Sequence, residues 1–74
     1  MFSHHVETVS TEQIGRAIQR CADAHPELAL RQRLHPDAGL LCEVLADMNY
    51  RHLAIVERDA LQNEHLAALM RWIG

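Results

Sequence analysis

Apolar positions recur with a helical period along most of this chain. Ile14, Ala17, Ile18 and Cys21 stand at i, i+3, i+4 and i+7, which is one face of an α-helix. The stretch "VSTEQI" punctuates its start. Ser10 suits the N-cap and Gln13, three residues on, can reach back to the cap backbone, a capping box. Val9 and Ile14 flank the cap where a hydrophobic staple would clamp the chain's entry. Pro26 disfavours helical geometry at His25, so the helix is expected to end near Ala24. In "PELALRQRL", Pro26 suits a first helical position and Glu27 the positive end of a helix. That stretch reads equally as a short helix or a structured loop.

The segment "HPDAGLLCEVLADMNYRHLAIVERD" repeats the opening signal, with His35 before Pro36 and Asp37 in the first turn. Leu41, Val44, Leu45, Met48, Ile55 and Val56 fall on one stripe, interrupted only at His52. This predicts a long central helix from about Asp37 to Glu57, of ~20 residues and ~30 Å. The competing reading makes "RHLAIV" a short strand, but no partner strand is evident. A last helix follows, capped by Asp59 or Gln62 and stapled by Leu61 and Leu66. Its apolar face is Leu66, Leu69, Met70 and Ile73. "MFSHHVETV" has no sustained period and reads as an irregular arm over 1–9, anchored by Phe2 or Val6. The expected fold is all-α: a single domain over 10–74, a small three- to four-helix bundle with one long central helix.

Size changes the picture by limiting the core. A chain of 74 residues buries only ~60% of the surface its unfolded form exposes, which favours a partner subunit or a cross-link. Its apolar fraction of 49% excludes a disordered chain. All seven basic residues are arginine and ten alanines accompany them, a composition typical of a GC-rich bacterial genome. The net charge of −3 argues against nucleic-acid binding, which needs a basic footprint to release counterions. No apolar run approaches the ~20 residues that span a bilayer, and no signal-peptide pattern opens the chain. The expectation is a cytoplasmic protein with reduced thiols and no membrane association.

The order "TEQIGRAIQR", a variable connection, "LHPDAGLLCEVLADMNY", then "LQNEHLAALMRW" resembles a small bacterial family, domain of unknown function 3717. Ile14, Ala17, Ile18 and Arg20 match its first helix in type. Leu34, Pro36, Leu41, Leu45 and Ala46 match its second segment, and Leu61, Ala68 and Leu69 its third. The likeness covers roughly residues 11 to 72. The sequence departs from it near Cys21, where the family carries tryptophan, and Tyr50 is one place out of register. The resemblance implies a helical fold and brings no activity with it.

Candidate chemistry centres on "CADAHPELALRQRLHPDAGLLC", which holds both cysteines. Cys21, His25, His35 and Cys42 make a full set of zinc ligands by type. Their spacing is looser than a C-x₂₋₄-C knuckle, Cys21 lies on an apolar stripe, and both histidines precede proline at a helix boundary. The expectation is therefore that the purified protein carries no stoichiometric zinc. A Cys21–Cys42 disulfide is possible if two helices pack side by side, but a cytoplasmic setting opposes it. Pairing of Cys42 with His35 or His52 as a catalytic dyad would need a cleft that so short a chain rarely forms. No Gly-rich phosphate loop, H-E-x-x-H or paired-carboxylate motif is present. These readings predict a non-enzyme without a cofactor. His52, on the apolar stripe, reads as a packed histidine with one nitrogen satisfied, or else as a pH-sensitive interface contact.

Residue supply points to protein interaction. Leu40, Tyr50 and Leu53 lie off the main stripe of the long helix, and Trp72 lies off that of the last. Apolar and aromatic residues beyond what a small core absorbs mark an interface. The expected function is a small helical interaction module that binds itself, as a C₂ homodimer, or a larger protein. A phage- or plasmid-type inhibitor of a nucleoprotein complex is one form of it. The alternative is a helix-turn-helix nucleic-acid binder using Arg31, Arg33, Arg51, Arg58 and Arg71 on phosphate.

Overall fold

The computed structural model describes residues 8–73. Along the chain these form β1 (Thr8–Ser10), α1 (Thr11–Ala24), α2 (Pro26–Leu30), α3 (Pro36–Tyr50), β2 (Ile55–Glu57), a 3-10 turn (Arg58–Ala60) and α4 (Asn63–Trp72). The fold is thus mostly helical, with a small antiparallel sheet that the all-α expectation omits. Phe2 and Val6, expected to anchor the arm, lie outside the described residues.

α1 starts as its sequence predicts. The Ser10 hydroxyl accepts from the Gln13 N–H at 3.1 Å, and the Gln13 side chain accepts from the Ser10 N–H at 2.9 Å. Val9 and Ile14, the staple pair, are both fully buried and share the core. Ser10→Ala removes one half of the reciprocal cap and is expected to cost about 1 kcal/mol. Urea titration at neutral pH checks this through a lowered midpoint with an unchanged slope.

The long central helix is corrected. α3 ends at Tyr50 because the chain reverses there. His52 takes φ 57°, in the left-handed region. The Leu53 N–H then donates to the Met48 carbonyl at 2.8 Å and the His52 N–H to the Asn49 carbonyl at 3.2 Å. This is a Schellman motif, which satisfies carbonyls that a helix end would otherwise leave orphaned. Leu53 follows the turn and packs back on the core cluster that holds Met48, as the motif's apolar contact requires. His52 is exposed at this turn and is not a packed member of a helix stripe.

The strand reading of "RHLAIV" finds its partner in the supposed irregular arm. β1 pairs with β2 in the register Thr8–Glu57, Val9–Val56 and Ser10–Ile55, and the Thr11 N–H extends the ladder to the Ala54 carbonyl at 3.0 Å. Alternation along the strands turns Val9 and Val56 inward and leaves Ile55 outside.

The core is built from Val9, Ile14, Ala17, Leu41, Val44, Met48, Ala68 and Leu69. α3 packs against both α1 and α4, and α1 touches α4. On α4 the buried residues are Ala68 and Leu69, while Met70, expected on the apolar face, is half exposed to solvent. Gln62 caps α4 in position but makes no side-chain cap bond.

Candidate functional site

Three helix ends meet in one polar and aromatic knot. Pro36 fixes the start of α3, and His35 Nδ1 accepts the Asp37 N–H at 3.0 Å as its cap. His25, the C-cap of α1, stacks its ring on His35 with centroids 4.4 Å apart. Trp72, at the end of α4, meets both rings edge-on at 5.9 and 6.1 Å. Arg20 of α1 closes the same end of α4, its Nη1 donating to the Ile73 carbonyl at 2.9 Å.

Asp37 lies at the centre of the knot. Its carboxylate is buried, with a relative exposure of 7%. It accepts from Arg71 Nη2 at 2.7 Å, Arg71 Nε at 2.8 Å and Trp72 Nε1 at 2.9 Å. The Arg71 hydrogen bonds hold its carboxyl well below the usual carboxylate range, against the opposing effect of burial, with Trp72 adding to the lowering. The same contact raises Arg71. A carboxylate so fully occupied by donors is a poor proton acceptor, so its role is to join α3 to α4.

Cys21 is fully buried beside this knot, and burial pushes its thiol up, opposed in part by a hydrogen bond from the Ala38 backbone. It behaves as a small hydrophobe. Cys42 is exposed, and both cysteines are free. The structure thus brings Cys21, His25 and His35 around one cavity of about 90 Å³, which Cys42 does not line. Among the described residues no group of three or more His, Cys, Asp or Glu side chains is placed to hold a metal ion.

A second concavity lies between α3, the 3-10 turn and α4. This groove of about 400 Å³ is lined by Glu43, Val44, Asp47, Ala60, Leu61, Gln62 and His65. Val44 is buried and Leu61 half-buried, and both belong to or pack on the core, so they form an apolar floor. Glu43 and Asp47 are one turn apart on α3, with side chains 69% and 60% exposed. Glu43 accepts from His65 Nε2 at 2.9 Å, and Asp47 holds Arg51 in an exposed pair at 3.2 Å.

The four residues expected at an interface separate. Tyr50 is 85% exposed, whereas Leu40, Leu53 and Trp72 are half-buried and pack on the core. Leu53 does not share a helix face with Tyr50, because it lies beyond the turn at His52. Among the described residues the large exposed apolar side chains are Leu30, Leu34, Tyr50, Ile55 and Met70. Sequence reasoning missed the Asp37–Arg71–Trp72 joint, since its members are 34 and 35 residues apart and neither end carries a local signal. It also missed the pairing of Glu43 with His65 across the groove. Among the described residues no helix is long and apolar enough to cross a membrane. Compared with protein-family models, with curated proteins and with solved structures, the chain finds no match in any of the three.

Proposed function

We propose that this chain is a non-enzymatic protein-interaction module of the bacterial cytoplasm, acting by self-association or on a larger protein. One observation carries the reading: Leu30, Leu34, Tyr50, Ile55 and Met70 are each more than half exposed in a chain of only 74 residues. A core this small has every reason to recruit large apolar side chains, so those left outside are available to a partner. The arginines favour this over nucleic-acid binding. Arg71 is spent on the buried Asp37, which removes one of the cations expected on phosphate. The proposed resemblance to domain of unknown function 3717 bears on the fold and not on the function. Ile14, Ala17, Leu41, Ala68 and Leu69, which carry much of it, are core positions, so it is a likeness of packing.

Site-specific photo-crosslinking in the cell tests the proposal. A photoreactive residue at Leu30, Tyr50 or Met70 is expected to give a discrete protein adduct, and one at buried Leu41 is not. Absence of adducts from all exposed positions, together with a salt-dependent gel shift on random duplex, would transfer the chain to the nucleic-acid class.

A further inference from the structure

We infer that copies of this chain associate with one another, the Leu30–Leu34 segment of one seating in the Glu43–Asp47 groove of the next. This rests on the interaction-module reading and names the partner as a second copy.

The segment has the form of a preset plug. Leu30 is 87% exposed and Leu34 57% exposed, and the exposed Arg31 and Arg33 stand between them. Among the described residues neither guanidinium has a hydrogen bond or ion pair. Gln32, at φ 55°, turns the chain sharply, and the Arg33 N–H closes the turn on the Leu28 carbonyl at 2.8 Å. The shape is therefore fixed before any partner arrives, which lowers the ordering cost of docking.

The groove has the matching character. Its apolar floor of Val44 and Leu61 suits a leucine, and its rim carries the carboxylates of Glu43 and Asp47, each more than half exposed and held in its own chain by one surface contact, to His65 and Arg51. Plug and groove are thus opposite in charge and alike in apolar content. Leu34 lies beside Ala38 and Gly39 at the start of α3, its Cδ2 3.8 Å from where a Cβ on Gly39 would stand. At ~100° per residue, Glu43 and Asp47 point ~140° and ~180° around α3 from Ala38, and ~40° and ~80° from Gly39. Plug and groove are distinct surfaces, the plug at the start of α3 and the groove one to two turns further along it, so each copy offers both. Such a contact joins two different surfaces, and it grows into a ring or an open chain unless two copies exchange plugs.

Sedimentation velocity on the full chain, from micromolar to millimolar, is the test. The weight-average mass is expected to rise above that of a monomer with concentration and to fall back in high salt. Two charge reversals then isolate the contact. Arg31→Glu with Arg33→Glu gives an acidic plug, and Glu43→Arg with Asp47→Arg gives a basic groove. Each variant alone is expected to stay monomeric, and an equimolar mixture is expected to associate again, because every plug then faces a groove of opposite charge. The neutral pair Arg31→Gln with Arg33→Gln, gentler on the fold, is expected to weaken association about tenfold. Circular dichroism establishes that each variant is folded. A wild-type chain that stays monomeric throughout overturns the inference, and crosslinking to a different protein would then leave the module reading intact. Association unchanged by either reversal, or a mixture of folded variants that stays monomeric, overturns the plug-and-groove pairing alone.

Discussion

Asp37→Ala is expected to remove a large part of the stability of this protein, about 2–4 kcal/mol, out of roughly 4–11 kcal/mol available to a chain of this size. The loss exceeds that of an ordinary surface ion pair because the carboxylate is buried and serves three donors at once. Alanine leaves the Trp72 N–H without its acceptor and takes from Arg71 the only carboxylate it is bonded to among the described residues. The same site predicts the acid limb of the stability curve. The carboxyl titrates lower in the folded chain than the ~3.9 of an unfolded aspartate. The unfolded chain therefore binds the proton first, so stability is full above about pH 4 and falls as pH drops below it. Asp37→Asn retains an acceptor without the charge and is expected to flatten that limb. Urea titrations in steps from neutral pH down to pH 3 measure both effects. A wild-type acid limb unchanged in Asp37→Asn would remove Asp37 as its origin.

Leu41→Ala is the second large effect. Leu41 is fully buried at the point where α3 faces both α1 and α4, so truncation is expected to cost about 2–5 kcal/mol through lost burial and the cavity left behind. Its neighbour supplies the control. Leu40 only leans on the core, and Leu40→Ala is expected to cost roughly 1 kcal/mol. Thermal unfolding of the two variants separates them, and equal losses would place the core elsewhere along α3.

Those two residues show how far the sequence could be read. Leu41 was legible because helix periodicity alone sets which side of α3 is apolar, and the same holds for Ile14, Ala17 and Cys21 on α1. The starts of α1 and α3 were legible because Ser10, Gln13, His35 and Pro36 act through bonds within three residues. The end of α3 was not. A left-handed C-terminal residue is normally announced by glycine, and here histidine occupies it at φ 57°. Without that signal the period of Ile55 and Val56 reads on as helix. Their strand depends on Val9 and Ser10, some 46 residues earlier, a pairing that no local pattern encodes. Asp37 likewise reads as a first-turn acid complementing the helix dipole until the fold delivers Arg71 and Trp72 to it. Of the proposed contact, Arg31 and Arg33 were legible only as candidates for phosphate, in a stretch that reads as a short helix or a loop. Their prominence depends on the turn at Gln32 and appears only in three dimensions.

The unequal placement of the two thiols gives the molecule a built-in clock. Cys42 faces solvent on α3 and reacts with a thiol reagent as fast as chemistry allows, whereas Cys21 is sealed between α1 and the start of α3. Once Cys42 has been blocked, labelling of Cys21 can proceed only through openings that part those helices. Its rate thus times how often the native state breathes where α1 meets the start of α3.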